Sequence, residues 1–396
     1  MLLKEEIHNA ANRIKTQLIE WRRYMHKHPE LSFKEHGTMK FISSELDKLG
    51  IEHTTGVADT GIVALIKGNN PESKVLALRS DHDALPIVEA NDVEYTSSNP
   101  GVMHACGHDA HTASLLGAAS ILQSLREKWS GTVKLLFQPG EERLPGGASM
   151  MIKAGALQNP VPQNIIGQHV FPDLPAGHVG FREGTYMASA DEIHIDITGK
   201  GGHAALPKGL CNPLLVASEI LLAFEQFIET RENKDIKTVL SIGFIEGKGA
   251  TNIVPNTVKM EGTFRSLDEE WRFHSHKRMN EIVDAICAKR GATANLDIQV
   301  GYPCVYNNPE LTQKMTALAV EYLGQDKVHQ LPIRMTAEDF SFYAQELPGC
   351  FYRLGTSSPN SELGHSGLHT PTFDIDEDSL VVGAGLLAFG AVNNLS

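Results

Sequence analysis

Two periodicities of apolar residues along the chain predict its secondary structure. Near the N-terminus, apolar side chains recur at three- and four-residue steps, which predicts an amphipathic helix. Residues 36–50 predict a second helix that ends at Gly50. Short continuous apolar runs, such as the one from Val75 to Leu78, predict buried strands instead. Because helices separate these strands, the pattern predicts an α/β fold with a mostly parallel central sheet.

Polar side chains follow the predicted buried strands at the point where each strand stops. They are Asp81, His82 and Asp83 after the first strand, Glu141 and Glu142 in "FQPGEE" after the second, and His169 in "GQHV" at the third. The carboxyl ends of parallel strands meet at one edge of a sheet, where α/β proteins bind their ligands. We therefore expect these side chains to converge.

The pattern changes near Tyr186. Polar and apolar residues alternate over 192–197, as is typical of a half-exposed antiparallel strand. Further predicted elements complete a β-α-β-β-α-β order, which indicates a ferredoxin-like α+β unit. The α/β pattern then resumes. We predict a larger domain formed by residues 1–186 and 302–396, with a smaller domain inserted at residues 187–301.

An acidic net charge narrows the choice of partners. The chain has 48 acidic and 35 basic residues and a net charge of −13, which argues against nucleic acid or an anionic membrane as the main partner. The longest apolar run, near the C-terminus, is short and glycine-rich for a membrane span and predicts a closing core helix. The N-terminal segment lacks the continuous apolar core of a signal peptide.

The five cysteines are dispersed and form no C-x-x-C pair. They are Cys106, Cys211, Cys287, Cys304 and Cys350. This spacing predicts neither a disulfide framework nor a structural zinc site. We therefore expect reduced cysteines and a cytoplasmic location.

One segment, "GVMHACGHDAHTASLLGAA" at residues 101–119, concentrates groups that can bind metal just before a predicted core helix. They are His104, Cys106, His108, Asp109 and His111. Imidazole, thiolate and carboxylate are the ligands of zinc and similar divalent ions. Cys106 and His108 are two residues apart, so a turning segment can direct both to one side. Near the C-terminus, His369 is followed by acidic residues that could hold its second ring nitrogen.

Each of these signals also has a structural explanation when it is taken alone. A single histidine such as His169 is more often a packed core residue than a ligand. The adjacent carboxylates Glu141 and Glu142 could be a solvated pair, or could divide the work between binding a metal and acting on water. The joint pattern favours a metal site, because separate strand ends deliver groups that are costly to bury to one edge of the sheet.

The chain resembles a known family in motifs that span nearly its whole length in the same order. They are "RRYMHKHPELSFKE", "MHACGHDAHTASLLGAA", "FQPGEE", "GQHV", "GKGGHAALP", "TNIVPNTVKMEGTFRS", "AEDFSFY" and "LHTPTFDIDED". They resemble the aminoacylase/carboxypeptidase metallopeptidase clan, and above all its amidohydrolase subfamily of hippurate hydrolases, N-acyl-L-amino acid amidohydrolases and auxin-conjugate hydrolases. The resemblance implies a catalytic metal-binding domain and an inserted lid that serves dimerisation.

The resemblance implies a site for two divalent metal ions per subunit, with manganese, zinc, nickel or cobalt as candidates. Cys106 would be the bridging ligand. The remaining ligands would be His108, Glu142, His169 and His369. Glu141 would be the general base that acts on a metal-activated water, and Asp83 would orient a ligand histidine.

The resemblance also implies a substrate and a quaternary structure. The substrate would be an N-acyl-L-amino acid, or a dipeptide, with a free carboxylate that Asn252 and Arg265 bind; Arg265 could instead form a surface salt bridge. His203 in the lid would stabilise the oxyanion in the partner subunit's site, which implies a homodimer. Relatives in the metallopeptidase branch carry a ligand histidine where this chain has Asp81.

Other functions stay open from the sequence alone. The chain could be a dipeptidase or carboxypeptidase of the same clan. Cys106 could instead be the nucleophile of a hydrolase that needs no metal. A third alternative is a non-catalytic protein that binds a metal or a small ligand, although Glu141 argues against it because a binding protein needs no base.

Overall fold

The computed structural model describes residues 3–396, which divide into two compact units. The first unit comprises the chain up to Gly184 together with Tyr306–Pro332 and Asp339–Ser396. The second unit comprises Thr185–Val305 and Ile333–Glu338. No helix within the described residues is both long enough and apolar enough to cross a membrane.

Helices separate the main groups of strands along the chain. The helices are α1 (Lys4–Arg13), α2 (Lys15–Lys27), α3 (His36–Lys48), α4 (His108–Ser124), α5 (Gly147–Lys153), α6 (Pro213–Thr230), α7 (Glu269–Arg290), α8 (Pro309–Leu323), α9 (Phe340–Glu346) and α10 (Ser379–Leu395). The strands are β1 (Glu52–Val57), β2 (Gly61–Lys67), β3 (Val75–Asp81), β4 (Thr132–Gln138), β5 (Asn164–Pro175), β6 (Val179–Phe181), β7 (Gly184–Met187), β8 (Asp191–Thr198), β9 (Gly202–His203), β10 (Thr238–Glu246), β11 (Ile253–Val254), β12 (Thr257–Ser266), β13 (Thr293–Val300), β14 (Val305–Asn307), β15 (Val328–Gln330) and β16 (Gly349–Ser357).

The first unit is built on an eight-stranded mixed sheet with the order β1-β2-β4-β3-β5-β16-β6-β15. The four central strands β4, β3, β5 and β16 run parallel to one another. Every residue of β3, β4 and β16 is buried, as expected for parallel strands covered on both faces. Antiparallel pairs lie towards both edges, at β1–β2, β2–β4 and β16–β6. The predicted α/β class is therefore confirmed, with a sheet that is parallel at its centre.

Helices α4 and α10 belong to the apolar core of the first unit. The C-terminal apolar run forms α10, which confirms the predicted closing helix. Gly117 of α4 permits a close approach, because a Cβ there would lie 2.7 Å from Cβ of Ala384 and 2.4 Å from a methyl group of Leu18. The helix that begins at His108 is thus packed tightly from both sides.

The second unit is a four-stranded antiparallel sheet with the order β10-β12-β8-β13, and its helices are α6 and α7. Along β8, Ile193, Ile195 and Ile197 are buried while the residues between them are more exposed. These isoleucines form one core with apolar residues of α6 and α7. The predicted alternation and the β-α-β-β-α-β order are both present, and they produce a ferredoxin-like topology.

Candidate metal centre

Strands β3, β4 and β5 deliver polar groups to one region of the first unit. Asp81 is the last residue of β3, and Glu141 follows β4 after a short turn. His169 differs from the prediction, because it lies within β5 rather than at its end. The pairing of β5 with β3 stops at Gly167, whereas its pairing with β16 continues through His169. His169 therefore lies beyond the end of the β3–β5 ladder.

A glycine between Cys106 and His108 turns the chain into α4. Gly107 has φ +80°, a left-handed conformation that favours glycine. A Cβ at Gly107 would lie only 2.5 Å from Cγ2 of Val170. Both the conformation and the space therefore require glycine between the two candidate ligands.

The five predicted ligand residues lie together. Sγ of Cys106 is 3.4 Å from Nε2 of His169 and 3.3 Å from Nε2 of His369. Oε1 of Glu142 is 3.2 Å from Nε2 of His369 and 3.9 Å from Nε2 of His108. Two groups of three side chains each bring their ligand atoms within 4.8 Å of one another, namely Cys106–His108–His169 and Cys106–Glu142–His369. Cys106 belongs to both groups.

These side chains fit a divalent cation. Nε2 of His108 and Oε1 of Glu142 are buried without a hydrogen-bond partner, a costly state for polar atoms that a bound ion would relieve. The set of thiol, imidazole and carboxylate groups matches the ligand preferences of zinc and related ions. Half of the His369 side chain is exposed, whereas Cys106 and His108 are buried.

Hydrogen bonds outside the cluster fix the orientation of two imidazoles. Nδ1 of His108 is 3.0 Å from Oδ1 of Asp83, and Nδ1 of His169 is 2.8 Å from the carbonyl oxygen of Val170. Both rings therefore turn Nε2 towards Cys106 and Glu142, the arrangement that orients histidine ligands in metal sites. Asp83 was predicted in this orienting position from the family resemblance.

A second orienting pair was not predicted as part of the site. Nε2 of His111 accepts a hydrogen bond from the backbone N–H of Val170 at 2.9 Å, so its Nδ1–H donates to Oδ1 of Asp81 at 2.6 Å. Arg79 donates to the other oxygen of Asp81 at 2.7 Å. The histidine-rich motif contains His111, but only the fold reveals that it holds the backbone beside His169.

Electrostatics at the cluster favour a positive charge. Burial raises the pKa of the Cys106 thiol, and Glu142 and Glu141 raise it further. Burial alone would lower the pKa of His108, but Asp81 and Asp83 raise it to about 10. Burial alone would raise the pKa of Asp83, yet its contact with His108 lowers it to about 2. The surplus of carboxylates is thus compensated by protons or by a bound cation.

Glu141 is buried beside the cluster. Its carboxylate lies with His108 and Glu142 in a third group whose ligand atoms are within 4.8 Å of one another. Oε1 of Glu141 accepts a long hydrogen bond, at 3.4 Å, from the backbone N–H of Asp339. Asp339 is held in turn by Arg79, whose Nη2 donates to Oδ1 at 2.7 Å. Glu141 therefore lies next to the candidate ligands on a supported backbone.

The remaining predicted site residues lie in the second unit. His203 in β9 and Asn252 are exposed, and they are neighbours because N–H of Ala204 donates to the carbonyl oxygen of Asn252 at 2.9 Å. Arg265 is half-buried near the end of β12 and donates to Oγ1 of Thr263. β11 pairs with His203 and precedes the start of β12 at Thr257. Arg265 is eight residues further along β12, which places it about 27 Å from that start. One copy of the second unit therefore does not bring Arg265 together with the other two.

Comparison with known proteins agrees with this geometry. A model of the Peptidase family M20/M25/M40 matches residues 77–389. The chain is 38% identical to Thermostable carboxypeptidase 2 of Saccharolobus solfataricus over 387 residues, 97% of each chain. It is 37% identical to N-acetyl-L-cysteine deacetylase of Bacillus subtilis over 385 residues, 96% of this chain and 89% of the relative. The crystal structure of Bacillus subtilis YXEP protein, described as a dinuclear metal binding peptidase from the M20 family, superimposes with a TM-score of 0.82 at 33% identity and covers 97% of this chain and 99% of that one. The chain therefore belongs to the Peptidase family M20/M25/M40 and is a metallopeptidase-like hydrolase of amide bonds.

Proposed function

We propose that this protein hydrolyses the amide bond of N-acyl-L-amino acids, in which the acyl group is acetyl, benzoyl or a similar group. The observation that carries the proposal is the position of Cys106, whose thiol is shared by two groups of candidate ligands beside the carboxylate of Glu141. The similarity to a relative named N-acetyl-L-cysteine deacetylase supports an N-acyl amino acid as the substrate.

Two divalent ions per subunit would be held by the candidate ligands. Cys106 would be common to both positions, with His108 and His169 on one side and Glu142 and His369 on the other. When bound, the ions would supply Lewis acidity to a water molecule and to the substrate carbonyl. Thiolate and imidazole suit zinc, nickel or cobalt rather than calcium, and the carboxylate of Glu142 also suits manganese. A panel of these four metals would identify the one that supports the highest activity.

Glu141 would move the proton that amide hydrolysis requires. Its carboxylate accepts a proton from the attacking water, and the resulting carboxylic acid donates that proton to the nitrogen of the leaving amine. The water oxygen first forms the new bond to the acyl carbon, and the C–N bond then breaks as its nitrogen receives the proton, so the products are a carboxylic acid and an amino acid. The burial of Glu141 and its contact with the backbone of Asp339 support this role.

The second unit would bind the substrate and stabilise charge. Arg265 and Asn252 would bind the carboxylate of the amino acid, since the guanidinium fork matches a carboxylate. His203 would donate a hydrogen bond to the oxyanion of the tetrahedral intermediate. Because Arg265 is far from His203 within one chain, a site that uses both would take them from two copies.

A homodimer through the second unit would supply the two copies. The edge strand β10 exposes Phe244 and Ile245, and α6 exposes Leu215 and Leu222, each with at least 44% of its surface accessible. Large apolar side chains in such positions are typical of protein–protein interfaces. Mixing inactive His203→Ala and Arg265→Ala variants tests the arrangement. Hybrid dimers regain activity at one of two sites if the residues act across subunits, whereas no recovery, or an active monomer in sedimentation, contradicts it.

A dipeptidase or carboxypeptidase activity is the second candidate within the same family. The similarity to a relative named Thermostable carboxypeptidase 2 favours this alternative. A panel of N-acetyl, N-benzoyl and dipeptide substrates separates the two, because a deacylase would prefer the acyl derivatives of the same amino acid.

The cytoplasmic location stays a prediction.

A thiol hydrolase fits the surroundings of Cys106 less well. Two carboxylates close to the thiol raise its pKa and oppose the thiolate that a nucleophile requires. Chelation should abolish the activity and added metal should restore it. A thiol hydrolase would survive chelation and would be inactivated by alkylation.

The decisive experiment is the substitution Glu141→Gln. We expect kcat to fall by about 10²- to 10⁴-fold, the usual contribution of general acid–base catalysis, while the metal content stays at its wild-type value. Glu142→Gln is the matched control, because it alters a candidate ligand and should reduce the metal content. Full activity in Glu141→Gln would refute the assigned base. Failure of the metal-loaded wild type to hydrolyse any N-acyl amino acid or dipeptide would favour a binding protein.

A further inference from the structure

A buried arginine on α2 joins two segments that carry residues of the candidate metal centre. Arg22 has no exposed surface. Its Nε donates to Oδ2 of Asp109 at 2.9 Å, and its Nη2 donates to Oδ1 of Asp374 at 2.7 Å. Nη1 also lies 3.5 Å from Oε1 of Glu377. One guanidinium group thus joins the carboxylate of Asp109 to two carboxylates from a distant part of the chain.

Asp109 is the residue directly after His108, in the first turn of α4. Its Oδ2 also lies 2.7 Å from Nδ1 of His26, and its Oδ1 accepts a hydrogen bond from the N–H of Ala110. Every oxygen of this carboxylate is therefore occupied. The contact with Arg22 fixes the start of α4 at the position where it presents His108.

Asp374 stabilises the loop that begins at His369. Its Oδ1 also accepts from the N–H of Ile375 at 2.8 Å, and its Oδ2 accepts from the hydroxyl of Tyr95 at 2.8 Å. His369 itself has φ +61°, a conformation that is uncommon for a residue other than glycine. Such a residue keeps its conformation only where its surroundings hold it. The position of the His369 imidazole therefore depends on how firmly this loop is anchored.

We propose that Arg22 is a positioning residue that fixes the His369 loop against the start of α4 through Asp374 and Asp109. Arg22 does not contact any of the five candidate ligands in this role. Its planar fork reaches both carboxylates at once, which the single ammonium group of lysine would not reproduce. The proposal rests on the ligand set given under the proposed function.

The two halves of the centre depend on Arg22 to different degrees. His108 and His169 each have a hydrogen bond from Nδ1 that orients the ring, to Asp83 and to the carbonyl of Val170. His369 instead has a backbone contact outside the cluster, in which its N–H donates to the carbonyl oxygen of Ala105 at 2.8 Å. Loss of Arg22 should therefore weaken the cation position that includes His369 first.

Cobalt(II) titration of the full-length protein tests the proposal, because cobalt–thiolate absorption reports directly on Cys106. In Arg22→Met, we expect one of the two equivalents to bind about 10- to 100-fold more weakly, the range found when orienting residues of metal sites are changed. Arg22→Lys should fall between Arg22→Met and the wild type. The matched control is Arg272→Met, since Arg272 is also a buried arginine paired with a buried carboxylate, Asp191, but lies in α7 of the second unit. It should bind cobalt as the wild type does.

Asp374→Asn provides the test if Arg22→Met does not fold. In the Asp374→Asn variant, Arg22 keeps Asp109 as its partner, and no carboxylate loses its counter-charge. The same equivalent should be weakened in this variant. Unchanged binding in the folded Arg22 or Asp374 variant overturns the proposal, as does equal weakening in Arg272→Met. A wild type that binds no cobalt through a thiolate would instead refute the proposed function, which keeps the two failures distinct.

Discussion

The substitution Asp83→Asn tests how the centre is held together. The Asp83 carboxylate is buried and receives three contacts: Nδ1 of His108 at 3.0 Å on Oδ1, and Oγ of Ser32 at 2.7 Å and the N–H of Glu142 at 3.0 Å on Oδ2. Asparagine keeps one oxygen and replaces the other by an NH₂ group. If the oxygen stays on His108, the NH₂ group faces the N–H of Glu142, and two donors oppose each other.

The magnitude follows from the bonds that are lost. A hydrogen bond to a charged acceptor is worth about 1.5–3 kcal/mol, and a buried donor without a partner costs about 1–3 kcal/mol. We therefore expect the free energy of unfolding of the metal-free protein to fall by about 2.5–6 kcal/mol. The affinity for zinc should fall by about 10- to 100-fold, because the His108 ring loses its charged partner.

Urea unfolding of the metal-free protein and zinc titration against a competing chelator measure the two effects. Ser32→Ala is the matched control, since it removes one contact of the same carboxylate and leaves the contact with His108. Its unfolding free energy should fall by no more than about 3 kcal/mol, and its zinc affinity should change far less. Wild-type zinc affinity in folded Asp83→Asn would refute the reasoning.

Two further predictions concern a turn and an acid-sensitive contact. Gly107→Ala should lower the thermal unfolding temperature and the metal content more than Gly155→Ala does. Both glycines have positive φ, but of the two only Gly107 has a neighbouring side chain where the added Cβ would lie. Equal losses in the two variants would contradict this prediction. Burial alone would raise the pKa of Asp191, yet Arg272 lowers it from 3.8 to about 2, which corresponds to about 2 kcal/mol of stability. This contribution is present above pH 4 and is lost as the pH falls towards 2. The difference in unfolding free energy between wild type and Asp191→Asn, measured by urea titration, should therefore shrink over that range. A difference that stays constant with pH would contradict the assigned ion pair.

Local sequence patterns predicted much of the fold, whereas the full set of candidate ligands came from the resemblance to a known family. The apolar run in β3 and the alternation in β8 each report burial directly, because the side-chain period of a strand is two. The pair Cys106 and His108 was recognisable because the two residues are close in sequence and precede a core helix. These features depend on neighbouring residues, so a single sequence contains them.

The supporting contacts could not be predicted because they join distant residues. Arg22 and Asp374 are 352 positions apart, and nothing near either residue indicates the other. The contact of His111 with the backbone of Val170 also depends on how α4 lies against β5. The distance between His203 and Arg265 follows from the register of β12, which hydrophobic periodicity does not reveal.

The ion pair between Arg22 and Asp374 also bears on how the protein is made. A ribosome synthesises Asp374 352 positions after Arg22, and the thiol of Cys106 can contact His369 only when a further 263 positions have been made. Contacts of such long sequence separation form late and slow the folding reaction. Nascent chains that stop short of the His369 loop lack one of the candidate ligands, so the cluster around Cys106 assembles only after that loop has been made.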